Sequence, residues 1–212
     1  MDGAEFIASA ITTGKLHGVG IGSSLAEVEN VFRAGYVDDP DAEENLSLRR
    51  DYGLVEFSFN DGLAWTVVGA SIEIHRLAVV EDLAAEWQEA QGVDFPEYLT
   101  WNEIAAEISR IPGHPELTPR TDQTGYIEYR SPTTRVSALV VDGDEERDEE
   151  RDDWPGRGDV FSIALGQGAG PRAPAVRHLG VVRGARDVDR PRPWSRLWKI
   201  RSNRYMSLVT VA

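Results

Sequence analysis

The sequence predicts an α+β protein: an antiparallel sheet built from two helix-plus-hairpin units, with the helices packed on one face and an irregular C-terminal tail. Three observations carry this expectation. Ser24-Leu-Ala-Glu27 and Thr100-Trp-Asn-Glu103 both have the spacing of a capping box, in which a hydroxyl accepts from the backbone three residues on and the Glu reaches back. Each is followed by runs in which apolar and polar residues alternate, the period of a half-buried strand. From Gly166 onward the chain turns to Gly, Pro, Ala and Arg, a composition without a core.

Taken in order, Phe6 to Thr12 reads as a short helix. Leu25, Val28, Val31 and Phe32 form the apolar stripe of the first capped helix, which ends before Gly35. Leu54 to Phe59 alternates, Asn60-Asp61-Gly62 supplies a hairpin turn, and Leu63 to Leu77 returns as a long strand. Val79 to Gln91 reads as an amphipathic helix with Leu83 and Trp87 one turn apart. Trp101, Ile104, Ala105 and Ile108 then stripe the second capped helix, ended by Pro112-Gly113. Gly125 to Tyr129 and Arg135 to Val141 form the second strand pair, and Val160 to Leu165 is a last strand that extends the sheet. The expected organisation is an acidic body over residues 1–166, with a two-fold repeat over 18–77 and 95–141, and a basic tail over 167–212. Residues 142–153, with nine acids and two arginines, are expected to form an acidic loop.

Charge divides the chain. Residues 1–170 hold 34 of 36 acids and 12 of 22 basic residues, whereas the last 42 residues are net basic. A body this acidic attracts cationic partners and repels nucleic acid and anionic membrane. With no cysteine there are no disulfides, thiolate zinc sites or cysteine nucleophile. Acids near the N-terminus and the lack of any long apolar run point away from a secretory signal or a membrane span, so a cytoplasmic location is expected.

The motifs of common chemistries are incomplete. Four histidines have no metal-site spacing. Gly18-Val-Gly-Ile-Gly22 precedes a capped helix but has Ser23 where a dinucleotide loop needs glycine, and it reads as a turn. The alternating acids from Asp142 resemble a calcium loop, yet Arg147 occupies the glycine position. Glu73 and His75, two apart on an expected strand, share a face and could do acid–base work, although an exposed strand face gives the same pattern. Neither a cofactor, a metal nor a catalytic residue is therefore expected.

Gly20 to Phe32, Asp51-Tyr-Gly-Leu-Val-Glu-Phe57 and the Asn60-Asp61-Gly62 turn together resemble a pattern in small acidic actinobacterial proteins of the toxin-immunity type, over residues 18–77. The doubled order is also similar to that of the β-lactamase-inhibitor protein. What the resemblance implies is an inhibitor role. Charge leads there independently, because nuclease toxins carry basic clefts that an acidic partner reaches quickly and covers. The candidate partner-binding residues are Glu43, Glu44, Glu56, Asp61 and Glu73 around the first hairpin, with Asp144, Glu146, Asp148 and Glu150 in the acidic loop. Two alternatives stand beside this: an enzyme or small-ligand protein walled by Trp65, Trp87 or Trp101, and a domain whose acidity serves solubility alone.

Overall fold

A computed structural model describes residues 1–40, 47–61, 65–121, 125–143 and 154–166. They belong to one compact unit, Met1–Arg172, and the C-terminal tail and most of the acidic loop lie outside the described residues. The protein is α+β, with helices and a large antiparallel sheet.

The chain opens with α1 (Gly3–Thr13), a fuller helix than its apolar run suggests. The extension comes from a third capping box, Asp2 with Glu5, and Gly14 in the left-handed region closes the other end. The short strands β1 (Lys15–Leu16) and β2 (Val19–Gly20) then turn the chain into α2 (Leu25–Val31), capped by Ser24 and Glu27 as expected. Four strands follow in a meander: β3 (Val37–Pro40), β4 (Ser47–Asp51), β5 (Val55–Asn60) and β6 (Thr66–Ile72). Next come α3 (Arg76–Val79), α4 (Leu83–Gln91) and α5 (Trp101–Arg110), the last capped by Thr100 and Glu103. A second meander completes the fold with β7 (Thr118–Arg120), β8 (Tyr126–Ser131), β9 (Val136–Val141) and β10 (Val160–Leu165).

Within the eight-stranded sheet the order is β3-β4-β5-β6-β10-β9-β8-β7. The two meanders therefore meet last strand to last strand, with Ile72, Ser71 and Ala70 opposite Ile163, Ala164 and Leu165. The repetition extends to the joints. Ser24, the cap of α2, bridges to Thr66 at the start of β6, and Thr100, the cap of α5, bridges to Asp159 just before β10. The same pair of backbone bonds flanks each bridge: Leu25 N to Trp65 O and Val67 N to Ser23 O in one, Trp101 N to Gly158 O and Val160 N to Leu99 O in the other. Even the positive φ at the strand entrance recurs, in Trp65 (44°) and Gly158 (87°).

Three expectations change. The return strand does not run to Leu77, because β6 ends at Ile72 and the chain turns through Ile74 and His75 into α3. The helix expected over Val79 to Gln91 begins only at Leu83, after Asp82 with a φ of 64°, and Val79 is instead the last residue of α3. Val160 to Leu165 lies at the centre of the sheet between β6 and β9, not at an edge.

The core lies between the helices and one sheet face. Val55, Phe57 and Phe59 of β5, Ile72 of β6, Ile163 of β10 and Ala138 of β9 all project to that side and are buried. Phe32, Tyr52, Phe57, Trp87, Phe6 and Phe95 interlock above them, with ring centroids 5.1 Å apart for Phe32 and Phe57 and 5.8 Å for Phe6 and Phe95.

Candidate functional site

Opposite residues of an antiparallel pair share a face, so the register places the side chains of the other sheet face. From β4 come Arg49 and Asp51, from β5 Glu56 and Ser58, from β6 Gly69 and Ser71, from β10 Ser162 and Ala164, and from β8 Glu128 and Arg130. This face is polar at its flanks and carries small side chains on β6 and β10, with Ser137 and Leu139 of β9, both buried, beside them. No helix among the described residues packs on it.

A charge network is concentrated where β4, β5 and β6 end beside α3. The Arg76 guanidinium is held by both oxygens of Asp51 at 3.1 Å, by the Gly53 carbonyl at 2.8 Å and by Glu56. Arg49, more exposed, reaches Glu56 at 3.4 Å and Asp39 at 3.3 Å. Glu73 accepts from the Ser71 hydroxyl at 2.7 Å and lies 3.7 Å from Nδ1 of His75. The His75 ring is stacked on Phe161, centroids 4.2 Å apart and planes within 5°. Trp154 and Tyr126 stand around Phe161, each with its centroid 5.5 Å away.

Burial sets the protonation of this group. Asp51 is pushed up to about 6 by burial, against the opposing pull of Arg76. Burial likewise raises Glu73. His75 is lowered to about 4, by burial first and by Arg76 second, so its imidazole is neutral near pH 7.

A second network lies on the helical side. Arg50, 4% exposed, donates to Asp38 at 2.7 and 3.0 Å and to Glu29 of α2 at 2.7 Å, with its guanidinium 3.8 Å over the Tyr36 ring. Burial works against its charge, but these carboxylates raise its pKa overall. It ties α2 to the edge of the sheet.

Of the candidates read from sequence, the structure brings Glu56 and Glu73 together on the open face, where Arg76 and Arg49 engage Glu56 directly. Asp61 is exposed beyond the end of β5, apart from them. Glu43, Glu44, Asp144, Glu146, Asp148 and Glu150 lie outside the described residues. Glu73 and His75 do come within reach of each other, though through a turn rather than along a strand. Trp87 is fully buried, with its Nε1 donating to the Tyr52 carbonyl at 3.3 Å, and Trp101 stacks on Tyr129 at 4.1 Å. A shallow pocket of ≈ 160 Å³ lies elsewhere, between Met1, Phe6, Lys15 and His17. Sequence reasoning missed Asp51, Arg76 and Phe161, whose meeting depends on strand register and a bulge at Phe161. Among the described residues no group of three His, Asp or Glu is arranged to hold a metal ion, and no helix is long and apolar enough to cross a membrane.

No family model matches this chain, and no curated protein does. A solved structure that it is similar to is a DUF4309 family protein, YjgB, from Bacillus subtilis subsp. subtilis str. 168. The two share 13% identity over 77% of this chain and 94% of that one, with a TM-score of 0.37. At that distance the likeness carries no argument about function.

Proposed function

We propose that this chain is a binding protein of the immunity or inhibitor kind, which docks a basic protein such as a toxin nuclease domain. The observation that supports it is the distribution of uncompensated acid. Residues 77–117, covering α4, α5 and their connections, hold nine carboxylates and a single basic side chain, Arg110, which pairs with Glu107. Most of the others, including Glu81, Asp82, Glu89, Asp94 and Glu97, are exposed. The open sheet face is nearly balanced by comparison, its acids interleaved with Arg49, Arg76 and Arg130. The helical side therefore generates the field that steers a cationic partner, a different part of the surface from the hairpin acids.

Steering predicts a rate effect. Replacing Glu81, Glu89, Asp94 and Glu97 by their amides is expected to slow association with a basic nuclease domain by about tenfold at low salt, with the difference shrinking as salt screens the surface. The measurement is stopped-flow association at two ionic strengths, on a partner recovered from the native host. Capture of no basic protein, or association indifferent to salt, would sink the reading.

A further inference from the structure

We propose that the hollow between α1 and the β1–β2 hairpin is a binding site for a small monocarboxylate with a flat apolar body, held by the Lys15 ammonium and the His17 ring above Phe6. The site is independent of the docking role above, and either can fail without the other.

The first argument is room lined with unmatched donors. The hollow measures ≈ 160 Å³, below the about 300–1,000 Å³ of sites for drug-sized molecules, which suits a ligand of one ring. Phe6 is buried and supplies an apolar wall, with the Met1 side chain beside it. Around them stand three groups able to donate: the Ser9 hydroxyl, the Lys15 ammonium and the His17 imidazole. Among the described residues none of these three side chains has a hydrogen-bond or ion-pair partner. Donors gathered at an apolar wall without an acceptor are complementary to a carboxylate.

The second argument is the lysine. In a body with 34 acids against 12 basic residues, Lys15 makes no ion pair. Glu27 feels its charge, but Oε2 of that residue is committed to the backbone and hydroxyl of Ser24 at 2.7 and 2.8 Å. The lysine stem lies across Gly20, its partner in the β1–β2 ladder. A Cβ on Gly20 would stand 3.3 Å from Cγ of Lys15 and 2.7 Å from the Gly14 carbonyl oxygen. Glycine thus leaves the stem its place beside the hollow. A single positive charge in so acidic a protein favours a monoanion over a phosphate.

The third argument is the turn. Leu16 pairs with Val19, so His17 and Gly18 form a two-residue loop with φ of 49° and 88°. Both are left-handed, as in a type I′ turn, where Asn-Gly is the favoured pair. Histidine fits the first position less well than asparagine, and strain of this kind gathers at functional sites. What it gives here is an imidazole against Phe6, ring centroids 5.0 Å apart, at the edge of the hollow. Burial lowers the pKa of His17, so near pH 7 the ring is neutral and offers one N–H and an apolar face.

The test uses the full chain and benzoate as the probe, with benzamide as the uncharged control and inorganic phosphate as the competing anion. Titration followed by amide NMR shifts is expected to show saturable binding, with Kd on the order of 1 mM and shifts confined to Phe6–Gly20. Lys15→Met keeps the length of an exposed stem and is expected to weaken benzoate about tenfold, the loss of a charge-assisted bond. His17→Asn installs the residue that the turn favours and is expected to weaken benzoate about threefold, with Tm held within a few degrees of the parent. Equal shifts with benzamide, phosphate binding more tightly than benzoate, shifts centred elsewhere, or parental affinity in both variants would overturn the site. A sharp fall in Tm for His17→Asn with benzoate binding unchanged would assign the histidine to folding and overturn its role as well.

Discussion

Arg76 draws two carboxylates and a backbone carbonyl onto one guanidinium. Its guanidinium joins the end of β4, through Asp51, to β5, through Glu56, and both partners are largely shielded from water. Removing one member of such a group leaves the others buried without compensation, so Arg76→Met is expected to cost about 3–5 kcal/mol in urea unfolding. A loss below about 1 kcal/mol would show that water already solvates the cluster. The same cluster makes a pH prediction. Asp51 has its folded pKa raised from 3.8 to about 6, so its contribution to stability is lost as pH rises through that interval. His75 has its folded pKa lowered from 6.5 to about 4, so its contribution is lost as pH falls through the same interval. The two slopes oppose each other. In His75→Gln the Asp51 slope is exposed, and stability relative to the parent is expected to drop by about 2–3 kcal/mol between pH 4 and 6.5. In Asp51→Asn the trend relative to the parent should run the other way, because the variant lacks the group whose raised pKa costs stability as pH rises. Unfolding at both pH values measures each slope, and profiles parallel to the parent would contradict the argument.

At the scale of elements, the capping boxes of α2 and α5 each do two tasks, since each starts a helix and bridges to the last strand of its meander or the residue just before it. Ser24→Ala and Thr100→Ala are each expected to lower stability by about 1 kcal/mol, and to add when combined because they serve different units. Marked non-additivity in thermal unfolding would argue that the two joints are coupled. These boxes and the first hairpin were legible from sequence because their signals are local. The edge strands were not. β3 reads Val-Asp-Asp-Pro and β7 reads Thr-Pro-Arg, residues that strand propensity rejects, and only pairing with β4 and β8 makes them extended. Proline is tolerated there because an edge strand has one unpaired side, and it also deters another chain from adding to the sheet. Replacing Pro40 and Pro119 by Val is expected to promote self-association at high concentration, measurable by light scattering. The ion network was illegible for a different reason: Asp51, Glu56 and Arg76 are neighbours only in one register, and alternation alone does not choose it.

For the molecule as a whole, the described core closes with Leu165 of β10, which is 1% exposed and paired to both β6 and β9. Deleting residues 171–212 is expected to leave cooperative unfolding with a Tm within a few degrees of the full chain, by calorimetry. Broad, non-cooperative melting would show that the basic segment belongs to the core. The seam between the meanders has a further consequence. β5 and β6 are joined over six registered pairs, as are β8 and β9, but β6 and β10 over three. Under a load applied across the strands, as when a tightly held partner is pulled away, this ladder is the line of least mechanical resistance among the inner strands, since only the edge pair β7–β8 is as short. The sheet would part there into two four-stranded leaves, each still fastened to its own capped helix.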